Sequence, residues 1–283
     1  MKKTLFLAVT SLLAVTASQA AGLYSDNFTT DSLSSYTING STGQVTYGAT
    51  AGVGGGGGLS ITNTGNPSTS IIPGASASNT PFTIDLGAAN TVTFSMMLKY
   101  SGTQGGTSQA FLGLSNGQDY SWGGNTIGAT SAVGGAVVAG IGLNTRGGTN
   151  GASANGATPA PNATLTSGNW YLYQVDLTKP LAASNLWTVS GSLQDFGNTG
   201  LVAGAVATSY TGVTNTFGTT ANTGINAAAT QTFLNFGVRN QMWTAADNFT
   251  VSAIPEPSTY ATLALGALGL LGIKRLRGNR KSA

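Results

Sequence analysis

The chain has 283 residues, room for one large domain or two modest ones, and only 7% of them are charged where about 25% is usual. It contains no His and no Cys, which excludes His-dependent triads, thiol nucleophiles, disulfides and the usual zinc, haem and iron–sulfur ligands. The net charge of +3 comes from the two ends: segment 21–254 keeps four basic residues (Lys99, Arg146, Lys179, Arg239) against seven Asp, about −3, with no basic patch for nucleic acid.

The N-terminus reads Met1-Lys2-Lys3, an apolar run from Leu5 to Val15, then Ser18-Gln19-Ala20. A positive start, a short apolar core and small residues at the cut site predict a secretory signal peptide over 1–20, cleaved after Ala20. As a helix the run spans about 15 Å, too short for a bilayer core of about 30 Å. One domain is expected over 21–253, followed by a sorting tail over 254–283.

The body opens with Leu23-Tyr24-Ser25-Asp26-Asn27-Phe28, and Asp26 and Asp31 flank the expected first strand. Gly52 to Gly58 is a glycine run broken only by Val53. A phosphate loop needs Gly-Lys-Ser/Thr after its glycines; Leu59-Ser60 follows instead, so the run predicts a flexible loop before a strand. The clearest strand is 91–100, with Val92, Phe94, Met96, Leu98 and Tyr100 on one face and Met97 as the exception on the other. Segment 170–178 alternates through Tyr171, Tyr173, Val175 and Leu177, and 187–193 through Trp187, Val189 and Leu193. Weaker strands are expected at 59–62, 82–86, 109–115, 136–143, 201–207, 233–239 and 248–253, with a long loop from Asn144 to Pro161. Outside the two end segments no helical stripe of useful length occurs. About ten short strands between turn residues predict an all-β fold, one antiparallel sandwich of jelly-roll type.

Sandwiches grip sugars with aromatic rings beside amides. The stretch 116–125 mixes Asn, Gln and Gly with Tyr120 and Trp122, and Trp243 near Gln241 is a second candidate for glycan binding. Calcium accepts Asp and carbonyl oxygens, and Asp26 and Asp247 would approach each other if the first and last strands pair, making them candidate calcium ligands beside the alternative of turn capping. A sandwich glycosidase needs two close carboxylates, usually with Glu. The body has no Glu, and its Asp residues are scattered, so no catalytic residue is assigned.

At the other end stand Pro255-Glu256-Pro257, an uncharged Leu/Ala/Gly-rich stretch over 259–273, and five Lys/Arg over 274–281. As a helix the stretch spans about 22 Å, enough to cross with local thinning and snorkelling flanks, and the basic cluster holds the end cytoplasmic. This three-part tail resembles the PEP-CTERM sorting signal of exopolysaccharide-producing Gram-negative bacteria. The resemblance implies that a membrane-embedded transpeptidase, exosortase, recognises Pro255, Glu256 and Pro257 and processes the tail, so the membrane span is temporary. It also implies an exported precursor held in the inner membrane and then a surface or extracellular protein, with exopolysaccharide as a candidate partner. The opening at 23–28, Gly168-Asn169-Trp170-Tyr171 and Ala246-Asp247-Asn248-Phe249 resemble the concanavalin-like and laminin-G-like sandwiches found ahead of such tails. The leading expectation is a non-enzymatic, glycan-binding surface protein. The alternatives are a purely structural or adhesive coat protein and a polysaccharide-active enzyme.

Overall fold

Alternation of apolar and polar residues at period two builds the molecule. The computed structural model describes residues 21–39, 45–62, 68–75, 80–81, 83–85, 89–102, 109–115, 129–133, 136–146, 151–152, 165–178, 186–216, 231–239 and 243–255. Seventeen strands run through them: β1 (Ala21–Asp26), β2 (Tyr36–Asn39), β3 (Val45–Gly48), β4 (Gly58–Ile61), β5 (Ser68–Ala75), β6 (Thr80–Pro81), β7 (Thr83–Asp85), β8 (Ala89–Tyr100), β9 (Gln109–Ser115), β10 (Ala129–Val133), β11 (Ala136–Arg146), β12 (Gly151–Ala152), β13 (Trp170–Thr178), β14 (Leu186–Asp195), β15 (Val206–Thr216), β16 (Gln231–Arg239) and β17 (Trp243–Pro255).

The strands form two antiparallel sheets. The first runs β15-β14-β13-β8-β17-β4-β3, with β1 also on β17; the second runs β10-β11-β9-β16-β5-β2, with β12, β6 and β7 attached to β11, β5 and β16. Strand β17 lies against β8 along nearly its whole length. On its other edge β4 pairs with Ala245 and Ala246, and β1 pairs with the stretch from Phe249 to Ala253.

The core lies between the sheets. Val92, Phe94, Met96, Leu98 and Tyr100 of β8 and Tyr171, Tyr173, Val175 and Leu177 of β13 meet Leu112, Leu114, Leu234 and Phe236 of the second sheet. Burying each large apolar side chain contributes roughly 1.5–3 kcal/mol. Met97, the break in the pattern of β8, is buried on the opposite face with Trp170 and Ala245, under Val53, Leu172 and Phe196.

Three expectations change. The first strand is β1, which ends at Asp26, so Asp26 and Asp31 flank a turn rather than a strand. Residues 201–205 are not strand; β15 starts at Val206, and Leu201 and Val202 are 67% and 73% exposed. The expected loop after residue 143 begins later, because β11 runs on to Arg146 and β12 folds back on it, with Thr145 opposite Ala152.

Candidate functional site

The first and last strands do pair, Ser25 opposite Thr250 and Asp26 opposite Phe249. At the end of β1 the Asp26 carboxylate closes the following turn. Its Oδ1 accepts the Phe28 N–H at 2.8 Å. Its Oδ2 accepts the Ser32 and Tyr36 hydroxyls, each at 2.6 Å. The Tyr24 hydroxyl donates in turn to Tyr36 Oη at 2.8 Å. Burial pushes the pKa of both tyrosines up, so each stays a neutral donor. Phe28 takes a left-handed backbone, φ 47°, which costs a non-glycine residue energy. Its ring, 1% exposed and 5.9 Å from that of Tyr36, offsets that cost by filling the core.

Asp247 is the one buried charged residue among those described, 4% exposed. Its Oδ2 accepts the Val53 N–H at 2.8 Å and its Oδ1 the Asn248 N–H at 2.7 Å. Burial raises its pKa, the two N–H groups pull the other way, and the nearby Asp26 raises it further. The carboxylate sits where β17 bulges, between Asp247 opposite Met97 and Thr250 opposite Ser95. Asn248 absorbs the bulge at φ 52°, a conformation asparagine tolerates.

The glycine run is therefore a pinned turn and not the flexible loop its composition suggests. A single 3₁₀ turn covers Val53–Gly55, with Gly54 and Gly55 at φ 65° and 79°. The Gly52 N–H donates to Gly56 O at 2.8 Å, and the Gly54 N–H donates to Thr199 O at 2.8 Å. A Cβ on Gly52 would collide with Gly57 O and with Asp247 Oδ2. Only glycine lets this turn close over the buried carboxylate.

Chemically, this junction caps turns. Asp31 accepts the Leu33 N–H at 3.1 Å, and Asp176 accepts the Thr93 hydroxyl at 2.7 Å. Asp195 accepts the Gly197 N–H at 2.7 Å and both Asn169 contacts at 3.0 Å. Calcium needs six to eight oxygens. Asp26 and Asp247 come together as expected, yet among the described residues no group of three His, Cys, Asp or Glu assembles to hold a metal.

The glycan candidates divide. Tyr120 and Trp122 lie outside the described residues. Trp243 is corrected: it is 1% exposed, a core residue packed edge-on against Tyr100 at 6.0 Å and Tyr171 at 6.4 Å. A ring so enclosed offers no face to a sugar. Its neighbours explain the misreading, since a Trp at the first position of a strand looks like a loop residue from sequence. Trp170 is buried as expected, with Lys99 Nζ 5.8 Å from its ring centroid.

Strand β17 runs on to Pro255, the first residue of the sorting element, which stands opposite Ala89 after a shift of register. Glu256, Pro257 and the expected span over 259–273 lie outside the described residues. Among the described residues no helix is long and apolar enough to cross a membrane. Residues 253–281 match the family model of the PEP-CTERM protein-sorting motif. The tail is a PEP-CTERM motif. It marks an exported protein sorted to the cell envelope of Gram-negative bacteria and implies exosortase processing.

No curated protein matches the chain. Among solved structures it is similar to peanut lectin with a nine-residue peptide: 11% identity, 84% of this chain and 99% of the lectin covered, TM-score 0.44. It is also similar to an alginate lyase from Aplysia kurodai, at 10% identity, 83% and 100% coverage and TM-score 0.49. An endo-1,3-beta-glucanase from Streptomyces sioyaensis gives 13%, 84% and 97%, and 0.42. These neighbours are concanavalin-like sandwiches, lectins and enzymes alike, and similarity of this size says nothing about activity.

Proposed function

We propose that this chain is a non-enzymatic surface or matrix protein, delivered by exosortase through its PEP-CTERM tail, whose sandwich binds glycan. The observation that carries the delivery is the motif over 253–281, which begins within the last strand of the folded body. Two facts support the non-enzymatic part. The body has no Glu, His or Cys. The carboxylates of Asp26, Asp31, Asp176, Asp195 and Asp247 all serve as hydrogen-bond acceptors within the fold. For glycan binding, the support is a body whose polarity is carried by hydroxyl and amide groups rather than charge, together with Tyr120 and Trp122 set among the amides of sequence 116–125.

Glu256→Ala tests the delivery. Full-length protein should accumulate in the inner membrane fraction, and release equal to wild type would overturn the proposal. Retention on immobilised polysaccharides tests the binding. A folded chain retained by none of them would leave a structural coat protein as the better reading. Release of reducing ends or unsaturated sugars by the purified chain would overturn the non-enzymatic assignment.

A further inference from the structure

We propose that the tip made by the turn Val53–Gly55 and the segment 199–206 inserts into an uncharged lipid surface. Such docking is separate from delivery and from glycan binding, and depends on neither.

The tip is built at one end of the first sheet. Strand β14 ends at Asp195, and β15 begins at Val206. Between them the Phe196 N–H donates to Trp170 O, and the Trp170 N–H donates to Gly197 O, each at 2.8 Å. A Cβ on Gly200 would stand 3.0 Å from the Trp170 ring and 3.1 Å from Val53 Cγ1. A Cβ on Gly54 would stand 3.4 Å from Leu201 Cδ2. The two segments therefore form one body, seated on Trp170. Trp170 stands opposite Lys99 of β8, whereas Pro255 stands opposite Ala89. Strand rise separates these two places by roughly 30 Å, so the tip faces away from the end where β17 enters the tail.

Exposure, charge and backbone bonding each set the tip apart. Leu201, Val202 and Val206 are 67%, 73% and 57% exposed; the other exposed large hydrophobic among the described residues is Ile38 of β2, at 38%. Ala203, Gly204 and Ala205 are exposed between them, and Gly54, Gly55 and Gly56 beside them. Apolar side chains grouped in this way on a surface mark an interaction site. No charged residue occurs in the chain between Asp31 and Asp85 or between Asp195 and Arg239. The Asp195 carboxylate is engaged by the Gly197 N–H and the Asn169 amide. Every N–H from Gly52 to Gly56 donates inside the protein: in turn to Gly56 O, Asp247 Oδ2, Thr199 O, Gly52 O and Val53 O. The Gly204 N–H donates to Asp195 O at 2.7 Å, and its carbonyl accepts the Gln194 amide at 3.0 Å. A surface turn ordinarily leaves such groups to water.

These properties select the partner. A stable protein interface buries about 800 Å² on each side and is anchored by Trp, Tyr and Arg. Three aliphatic side chains fall short of that area and supply no such anchor, and a second copy would bring the same small patch. Leu, Val, Ala and Gly have no side-chain group to pair with sugar hydroxyls. A lipid surface asks only for apolar area, and it penalises backbone groups that are not bonded internally. The tip provides that area and, across its glycine turn, avoids that penalty. It carries no cation to draw it to anionic headgroups, so neutral phosphatidylcholine suits it.

The chain has no Cys, so Ala203→Cys and Ser25→Cys each provide a single site for a fluorescent dye. Ser25 is exposed on β1, opposite Thr250. Full chain is reconstituted in phosphatidylcholine nanodiscs, and phosphatidylcholine vesicles with nitroxide-labelled acyl chains are then added, which confines the quencher to the vesicles. The dye at position 203 should be quenched and the dye at position 25 should not. Added salt should leave the quenching unchanged, and phosphatidylglycerol in the vesicles should not increase it. Leu201→Gln with Val202→Gln should weaken vesicle binding about tenfold while melting normally. If that pair misfolds, Leu201→Ala with Val206→Ala removes apolar area alone and should also weaken binding. No quenching at position 203, equal quenching at both positions, quenching that needs anionic lipid, or undiminished quenching in a folded glutamine or alanine variant overturns the inference. So does a dye signal at position 203 that grows with protein concentration without vesicles, which would place a second copy on the tip.

Discussion

At Asp247 an acid is held where ionisation is uphill. Its pKa is raised in the folded chain, so its stabilising contribution is full below the ordinary carboxylate range and is lost as pH rises through the raised folded value. The melting temperature should therefore decline as pH climbs from about 4, and Asp247→Asn should flatten that part of the profile. Asp247→Ala leaves the Val53 and Asn248 N–H groups unpaired, at about 1–3 kcal/mol each. Capping also predicts a melting temperature indifferent to calcium. A calcium-dependent rise that Asp247→Asn abolishes would replace capping with coordination. Trp243 gives a second test. Trp243→Ala should cost about 3–5 kcal/mol in urea unfolding. A folded Trp243→Phe should retain polysaccharide as well as wild type, and loss of retention there would restore Trp243 as a ligand contact.

At the scale of elements, β8 and β13 were legible because apolar residues hold one face of each strand while Thr, Ser, Lys, Gln and Asp hold most of the other, with Met97 the exception in β8. Strands β5, β10 and β12 were not, because Ser, Thr, Ala and Gly provide little contrast between their two faces. The turn at Val53–Gly55 was misjudged for a different reason. Composition registers seven residues of glycine and valine as slack, whereas the order comes from Asp247, 194 positions away. Gly54→Ala and Gly55→Ala should each cost about 1–2 kcal/mol, because both need a left-handed backbone. Gly55 is the cleaner probe, since nothing stands within 4 Å of a Cβ there. A neutral Gly55→Ala in chemical unfolding would show that the turn is not held as described.

For the whole molecule, sequence reading located the tail and the fold class but could not place distant residues beside one another. Arg146 and Arg239 belong to strands separated by β12 to β15 in the chain, and they become near neighbours only because β9 lies between β11 and β16. The pairing of first and last strands entered the sequence reading only as a condition for Asp26 and Asp247 to approach, and the register of β1 on β17 fulfils it. Strand order within each sheet depends on crossovers that no local pattern records.

The path of β17 has a mechanical consequence. This strand leads straight into the tail, and it is an interior strand, hydrogen-bonded to β8 on one edge and to β4 and β1 on the other. A pull applied to the tail would act along the strand axis and load these ladders in parallel. A peripheral strand held on one side would give way at lower tension. The sandwich thus meets its tail at a strand bonded along both edges, a sound place to take strain.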